Sequence, residues 1–368
     1  MNYSSLIGTL DSAPDRDETS PVLLVPYMWV GDFVRCHTVV RVLKDRWPRR
    51  PVDVLSASLC TPLADYMLGV RQSIEWNLPR GRLSFSEHAA LAARLRRENY
   101  GAALMMPRTW KSALAPALAG IPTRVGFLGE IRLGLLNDWR TGERALPRMI
   151  DRCASLALPA GATLPMDWPE PQLSVPSDQI AGWRRKSGVG SGPSVALAPG
   201  AVGPSKRWSY YAETARELAQ AGVEVWIVGG PNETAQAQEI VAAVGSGARD
   251  VTGTDLRDGI FALAAADVVI SNDSGLLHVA AAIGTPSIGI FGPTSAWHYA
   301  PLNPLAAVIE TKTEVSCRPC HKPTCRMLHH RCMRDIPPAD VTATALAALQ
   351  RAGVAPAASN SAAPLAAR

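Results

Sequence analysis

The chain has 368 residues, 47% of them apolar, and a formal net charge of +5. This length exceeds the size at which a single hydrophobic core keeps growing, so we expect two domains. Apolar runs are too short for a membrane span, since the longest, residues 275–292, is interrupted by polar residues and a proline. Residues 1–20 are acidic and lack the apolar stretch of a secretory signal. The composition therefore predicts a protein that stays in the cytoplasm.

Positive charge is concentrated in the N-terminal half. Residues 21–152 contain 20 Lys/Arg and 11 Asp/Glu, a net charge of +9, whereas residues 153–368 carry −1. Such an excess suits a polyanionic partner, which can be nucleic acid, an acidic lipid surface or a phosphorylated glycolipid. It is equally compatible with a solvated basic face. This half contains no nucleic-acid-binding motif and no aromatic stacking array, so we expect no nucleic-acid partner.

Strand-like and helix-like segments alternate in this half. Buried strands are predicted at residues 22–26, 52–55 and 102–106, and helices at 33–44 and 87–99. The alternation indicates βαβ units and a parallel sheet. Asp32 follows the first strand, where its carboxylate could take a proton from an acceptor hydroxyl. Taken alone, Asp32 is equally a helix N-cap.

A change of composition separates the two halves. Prolines are frequent between residues 159 and 176, and residues 188–193 are rich in Gly and Ser. We therefore delimit an N-terminal domain at 21–165, a linker at 166–193 and a C-terminal domain at 194–351. Residues 1–20 are expected to be a flexible extension, and the Ala/Pro/Ser-rich residues 352–368 a disordered tail.

The alternation of strands and helices restarts in the C-terminal half. Strands are predicted at 194–198, 223–228, 267–270 and 287–291, and helices at 210–221 and 234–244. The fold class is therefore α/β, with two Rossmann-like domains. In such sheets ligands bind beyond the carboxyl ends of the strands, so the loops that directly follow strands are the candidate sites.

The strongest candidate site follows the strand that ends near residue 270. A helix that begins there would offer free backbone N–H groups and a positive dipole end to a diphosphate, at Ser274, Gly275 and Leu276. Asp273 would repel phosphates, so we expect it to accept hydrogen bonds from sugar hydroxyls. The alternatives are that Asn272 or Asp273 is only an N-cap and that His278 is a buried core histidine.

Two further loops follow strands of the C-terminal half. In residues 199–208 the glycines, Gly200 among them, let the backbone approach a ligand closely, and Lys206 and Arg207 supply cations for the charge on a leaving diphosphate. An ordinary Gly/Pro-rich turn with solvated basic residues is the alternative. In the second loop, residues 228–233, Glu233 could bond the hydroxyls of a ribose.

Four of the seven cysteines lie within sixteen residues. They are Cys317, Cys320, Cys325 and Cys332, and histidines occupy positions 321, 329 and 330. In a reducing compartment this spacing favours a structural zinc over disulfides, with reduced thiols or a redox-sensitive disulfide as the alternatives. No Asp or Glu lies within the cluster to act as a general base, so we expect no catalytic metal.

Several segments between about residue 22 and residue 349 together match the motifs of one protein family. They are Trp29-Val-Gly-Asp32, residues 110–114 and 129–138, Pro199-Gly-Ala201, Lys206-Arg-Trp208, residues 272–279 and residues 329–335. Together they resemble the heptosyltransferases of glycosyltransferase family 9, most closely the ADP-heptose:lipopolysaccharide heptosyltransferase II type. The resemblance implies a GT-B fold, in which two Rossmann-like domains face each other across a cleft. The N-terminal domain would bind the acceptor and the C-terminal domain ADP-heptose.

The resemblance also implies residue roles. Asp32 would be the catalytic base and Lys206 a contact to the donor diphosphate. The other expected donor-site residues are Gly200, Ala201, Glu233, Asp273, Ser274, Gly275 and His278, and the expected acceptor contacts are Lys111 and Arg132. The last two are alternatively solvated surface residues.

The implied reaction is an inverting single displacement that adds L-glycero-D-manno-heptose to the lipopolysaccharide inner core, with no cofactor required for the chemistry. Its partners would be ADP-heptose, a phosphorylated core acceptor and, peripherally, the inner face of the inner membrane. One alternative is a sister transferase that adds the first or third heptose or another sugar. Another is a nucleotide-sugar-binding protein without activity.

Overall fold

The computed structural model describes residues 19–77 and 84–354 and divides into two compact units, Met1–Ser174 and Val175–Arg368. Each unit contains one six-stranded sheet in which neighbouring strands are parallel. Most of the predicted extension 1–20 and tail 352–368 lies outside the described residues. Within the described ranges, no helix is long and apolar enough to cross a membrane.

The first unit has the strand order β3-β2-β1-β4-β5-β6. The strands are β1 Val22–Val25, β2 Val52–Ser56, β3 Val70–Glu75, β4 Ala102–Met105, β5 Thr123–Phe127 and β6 Asp138–Arg140. The helices are α1 Val30–Arg46, α2 Thr61–Ala64, α3 Phe85–Arg97, α4 Trp110–Leu118 and α5 Met149–Ala154. The three predicted strands are confirmed as β1, β2 and β4, and the two predicted helices as α1 and α3. Each of those strands is an uninterrupted buried run, as expected for a parallel sheet.

The second unit has the strand order β12-β11-β10-β7-β8-β9. The strands are β7 Ser194–Ala198, β8 Glu224–Ile227, β9 Ala248–Asp250, β10 Val268–Asn272, β11 Ser287–Phe291 and β12 Ala306–Glu310. The helices are α6 Ser177–Ser187, α7 Tyr211–Gln220, α8 Thr234–Val244, α9 Leu256–Ala265, α10 Gly275–Ile283, α11 Ala296–Tyr299, α12 Arg331–Arg334 and α13 Pro338–Arg351. All four predicted strands and both predicted helices of this half are confirmed, with ends that shift by one or two residues.

The predicted linker 166–193 contains a helix that the sequence analysis did not anticipate. Helix α6 belongs to the second unit, and its Trp183 is buried with its ring centroid 5.8 Å from that of Trp226. Pro176 and Gly188, which suggest loop composition, are the N-cap and the C-cap of this helix. Gly188 has a φ of +62°, the left-handed conformation in which glycine commonly ends helices. The boundary between the two units, after Ser174, lies within the predicted linker.

Both sheets have the same topology when strands are counted from the start of each unit, namely 3-2-1-4-5-6. This is the order of the doubly wound dinucleotide-binding fold, in which strand order reverses between the first and fourth strands. The reversal lies between β1 and β4 in the first unit and between β7 and β10 in the second. Because ligands bind at such switch points, the loops after these four strands are the places to look for a site.

Candidate active site

The loop of residues 199–208, which follows β7, is fixed at both ends by Asn272, the last residue of β10. Asn272 Nδ2 donates to the carbonyl of Pro199 at 2.7 Å, and its Oδ1 accepts from the backbone N–H of Trp208 at 3.2 Å. Trp208 is fully buried, and its indole N–H donates to the carbonyl of Ile336 at 3.0 Å. Asn272 therefore joins both ends of this loop to β10. The N-cap of α10 is Ser274, so the alternative that Asn272 caps this helix is wrong.

Within this fixed loop, Lys206 points to Asp273. Lys206 Nζ lies 2.7 Å from Asp273 Oδ2 and 3.4 Å from the Asp273 carbonyl, and Thr294 Oγ1 donates to the same carboxylate oxygen at 2.7 Å. The Asp273 side chain is 7% exposed, whereas that of Lys206 is 29% exposed. The N-cap of α10 is Ser274, so the N-cap alternative for Asp273 is also wrong. Asp273 instead holds a partly accessible ammonium group at the edge of the sheet.

Thr294 is a site residue that the sequence analysis missed. It lies three residues beyond β11, a strand that was predicted correctly, so the search of loops after strands could have included it. Thr294 is buried, and its hydroxyl donates its hydrogen bond to Asp273. Together, Thr294 and Lys206 satisfy one oxygen of a carboxylate that would otherwise be costly to bury.

Helix α10 begins beside this ion pair. Ser274 is its N-cap in an extended conformation, and the Ser274 hydroxyl bonds the Ser271 hydroxyl at 2.9 Å rather than the helix backbone. The N–H groups of a first helical turn have no partner within the helix, and Ser274, Gly275 and Leu276 are partly exposed. Free N–H groups, the helix dipole and the Lys206 ammonium therefore give this edge the groups that can bind an anion. We call Lys206 and the start of α10, residues 274–276, the anion-binding edge. His278, one helical turn further along α10, is 4% exposed, and its part in donor binding stays a prediction.

Gly200 and Glu233 bring the loops after β7 and β8 into contact. A Cβ atom on Gly200 would lie 2.8 Å from Glu233 Cδ, so the glycine leaves room for the glutamate. Glu233 Oε2 accepts the Gly230 N–H at 2.9 Å, which fixes the carboxylate. Ala201, the next residue, is buried. The structure thus places Gly200, Lys206, Glu233 and the start of α10 along the same carboxyl edge of the second sheet.

In the first unit, Asp32 lies in the first turn of α1, just after β1. The N-cap of this helix is Trp29, so the N-cap alternative for Asp32 is wrong. Arg35 Nη1 donates to Asp32 Oδ1 at 2.5 Å, and the Asp32 side chain remains 26% exposed. One carboxylate oxygen is therefore oriented by an arginine one helical turn away. Such an arrangement suits a carboxylate that must point in a defined direction.

Lys111 and Arg132 follow β4 and β5, the next strands along the same sheet edge. Lys111 is half-buried and forms no ion pair within the described ranges. Arg132 is completely buried, and its Nη1 donates to the carbonyls of Pro107 at 3.0 Å and Phe127 at 2.9 Å. Burial lowers the pKa of Arg132 to about 10. The alternative of a solvated surface residue is therefore wrong for Arg132.

The cysteine cluster surrounds one cavity of about 220 Å³. Cys317, Cys320, Cys325 and Cys332 all line it as free thiols. Burial raises the pKa of Cys332 to about 11, with a smaller contribution from the three other cysteines. Across residues 19–77 and 84–354, no three His, Cys, Asp or Glu side chains already converge on a point where a metal ion would fit. The zinc site stays a prediction.

The family of the chain follows from comparison with known proteins. The model of glycosyltransferase family 9 (heptosyltransferase) matches residues 88–330, which is more than half of the chain. The chain belongs to this family and is a glycosyltransferase, as the motif pattern predicted.

Individual relatives are similar over most of their length. The chain is 35% identical over 308 residues to lipopolysaccharide heptosyltransferase 2 of Escherichia coli (strain K12), covering 79% of this chain and 88% of the relative. It is 33% identical over 306 residues to lipooligosaccharide heptosyltransferase 2 of Haemophilus influenzae, covering 78% and 88%. The solved structure of E. coli ADP-heptose LPS heptosyltransferase II superimposes with a TM-score of 0.79 at 32% identity, over 90% of this chain and 99% of that one. The predicted GT-B fold class is thereby confirmed.

Proposed function

We propose that this glycosyltransferase transfers L-glycero-D-manno-heptose from ADP-heptose to the inner core of lipopolysaccharide, as the second heptose. The observation that carries the proposal is the anion-binding edge of the second unit, where the Lys206 ammonium and the start of α10 adjoin the Asp273 carboxylate. A diphosphate and a sugar need these two kinds of group side by side. The similarity to heptosyltransferases named for this second position supports the choice of sugar and acceptor.

On the donor side, the reaction breaks the bond between the anomeric carbon and the ADP oxygen. Negative charge then grows on the diphosphate, and the Lys206 ammonium stabilises it together with the N–H groups of Ser274 and Gly275. Asp273 accepts hydrogen bonds from heptose hydroxyls through the carboxylate oxygen that Lys206 does not occupy. Glu233, fixed by Gly230, bonds the ribose hydroxyls.

On the acceptor side, Asp32 takes the proton of the attacking sugar hydroxyl. Arg35 holds Oδ1, so Oδ2 is the oxygen that receives the proton. The hydroxyl oxygen attacks the anomeric carbon opposite the departing ADP, and one displacement inverts the configuration. Lys111 binds acidic groups of the acceptor core. Arg132, which is completely buried and donates to the carbonyls of Pro107 and Phe127, supports the neighbouring loop instead.

The first unit would dock peripherally on an anionic membrane while the enzyme works on its lipid-linked acceptor. Ile131 and Leu133, in the loop after β5, are 86% and 70% exposed, and the cationic Arg108 and Lys111 belong to the neighbouring loop and helix. Apolar side chains beside cations are typical of proteins that lie at a membrane interface.

Vesicle sedimentation tests this docking. We expect the protein to sediment with phosphatidylcholine vesicles that contain phosphatidylglycerol and to do so much less with phosphatidylcholine alone. The variant Ile131→Asp/Leu133→Asp should stay in the supernatant, whereas Met166→Asp, an equally exposed site of the same unit, should behave as the parent. Equal sedimentation of both variants would show that the loop after β5 does not contact the membrane.

The transfer itself is tested with ADP-heptose and three defined core acceptors, which carry no, one or two heptoses, and the products are read by mass spectrometry. We expect one heptose to be added to the acceptor that already has one. Transfer to the heptose-free or to the two-heptose acceptor would indicate a sister transferase. Binding of ADP-heptose without any product would indicate a nucleotide-sugar-binding protein.

A further inference from the structure

The chain between β12 and α12, residues 311–330, contains neither helix nor strand, yet it carries three of the four clustered cysteines. We call residues 317–332 the Cys-rich segment. Loops of this length without regular structure are uncommon in compact domains and need something to fix them. Four thiols around one cavity of about 220 Å³ are the chemistry available for that purpose.

The Cys-rich segment packs directly on the loop that presents Lys206. The Ser205 backbone N–H donates to the carbonyl of Pro323 at 3.1 Å, and the Ser205 hydroxyl donates to that of Lys322 at 2.5 Å. His330 Nε2 donates to the carbonyl of Ser205 at 2.6 Å. Three bonds therefore converge on the residue that immediately precedes Lys206.

The same segment also supports the loop after β11, which carries Thr294. The backbone N–H groups of Cys320 and His321 donate to the carbonyl of Pro293 at 3.0 and 2.9 Å. The Arg318 Nε donates to the carbonyl of Gly292 at 2.6 Å. Lys206 and Thr294 are the two groups that bond the Asp273 carboxylate, so one irregular segment braces both sides of the anion-binding edge.

We propose that Cys317, Cys320, Cys325 and Cys332 bind one thiophilic divalent cation, and that the closed Cys-rich segment positions Lys206. Four thiolates form a tetrahedral site for such an ion, with sulfur atoms about 2.3 Å from zinc. Binding converts four thiols and one M²⁺ into a complex of charge −2 and releases four protons. Because no three of these side chains converge on one point in the described residues, metal binding requires the thiols to turn inward from the cavity wall.

Other groups around the cavity agree with this ligand set. His330 donates from Nε2 to Ser205, and His329 accepts the Arg331 backbone N–H at Nδ1 at 3.0 Å, so each imidazole has one ring nitrogen engaged, and neither of these bonds involves a thiol. Lys322 and Arg326 also line the cavity, and their positive charges offset the −2 charge of a four-thiolate centre.

Metal binding is tested on the full-length protein without any activity assay. Elemental analysis after expression in zinc-supplemented medium should find about one zinc per chain. Replacement by Co²⁺ should give the visible absorption bands of tetrahedral thiolate coordination. Cys325→Ser should lose the metal, and Cys60→Ser, a buried cysteine of the first unit, should keep it. A metal-free chain that takes up no Co²⁺, or disulfides among the four cysteines found by alkylation and mass spectrometry, would overturn the proposal.

The positioning of Lys206 rests on the proposed function and has its own readout. Stripping the metal from the parent protein with a chelator should weaken ADP binding by about tenfold, equivalent to about 1.4 kcal/mol, because Lys206 is no longer held in place for the diphosphate. In Lys206→Ala the same treatment should change ADP binding little. Equal losses in both proteins would refute positioning through Lys206. Metal binding without heptose transfer would refute only the function, and transfer by a chain that cannot bind metal would refute only the metal site.

Discussion

The ammonium group of Lys206 lies 2.7 Å from the buried carboxylate of Asp273, which also accepts the hydroxyl of Thr294. The lysine is therefore held in place before any donor arrives. In the proposed mechanism a donor diphosphate shares this cation with Asp273, so its charge is met by a group that does not need to reorganise during the reaction. The same pairing means that removing either partner leaves the other without its main contact.

Lys206→Ala should lower turnover by about 10²- to 10³-fold, because loss of one preorganised group of this type costs about 2.7 to 4 kcal/mol of barrier. The variant should also melt at a lower temperature, since Asp273 is left buried with only Thr294. Turnover is therefore compared well below the melting temperature of the variant. Lys186→Ala, which removes an exposed ion pair with Asp258, is the control. Turnover within a factor of two of the parent would show that Lys206 does not stabilise the leaving diphosphate.

Asp32→Asn should lower turnover by about 10²- to 10⁴-fold, because the amide cannot take the proton of the acceptor hydroxyl. Asp32 is not the N-cap of α1, so the substitution loses only a partly exposed pair with Arg35, and the melting temperature and ADP affinity should stay near the parent values. Asp45→Asn, at an exposed position of the same helix, is the control. If Asp32→Asn keeps its turnover, the base must be sought elsewhere.

Gly200→Ala should weaken ADP binding, because the new methyl group would lie 2.8 Å from Glu233 Cδ and displace that side chain. The far end of a glutamate can move, so folding should survive. In a Glu233→Ala background the clash is absent, and Gly200→Ala should then have little further effect on ADP affinity measured by calorimetry. A Gly200→Ala penalty that is the same in both backgrounds would show that Glu233 is not the group through which it acts.

Stability should fall in acid because of His37, which is completely buried. Its Nε2 donates to the carbonyl of Leu68 at 2.8 Å, and its Nδ1 accepts the Gln172 N–H at 2.9 Å, so a proton on Nδ1 would face another N–H group. Burial, with a smaller contribution from Arg41, lowers the pKa of His37 to about 4 in the folded protein.

The folded state therefore binds fewer protons than the unfolded state between pH 6.5 and about 4. In this range the free energy of unfolding should decrease by about 1.4 kcal/mol for each unit by which the pH falls. Above pH 6.5 the neutral His37 contributes its full stabilisation. Urea denaturation at several pH values measures the slope, and His37→Gln should remove that part of it. An unchanged slope in His37→Gln would assign the acid sensitivity to other groups.

The central strands could be predicted from the sequence because they are short, uninterrupted apolar runs. β5 and β12 could not, since Arg124 and Gly126 interrupt the first and Ala306 and Ala307 give the second no strong β-propensity. Their place in the sheet is decided by pairing with β4 and β11, which is a tertiary contact. Helix α6 was hidden for a different reason, because its caps resemble loop composition.

The sequence indicated the position of site residues better than their partners. Placing Asp32, Lys206 and Asp273 after strands required only the alternation pattern. The pairing of Asp273 with Thr294 joins residues 21 apart, and that of Lys206 with Asp273 joins residues 67 apart. Arg132 is the clearest misreading among the alternatives, because composition alone gives no sign that an arginine in a polar loop is fully buried.

Because both sheets have the same strand order, each position in one unit has an equivalent position in the other. Counted within each unit, Asp32 and Lys206 both follow the first strand, although in the proposed mechanism one accepts a proton and the other neutralises a leaving group. The two proposed tasks therefore belong to separate copies of one architecture. Substitutions that retune the sugar nucleotide can accumulate in one copy while those that retune the glycolipid accumulate in the other, so the two specificities are free to evolve independently.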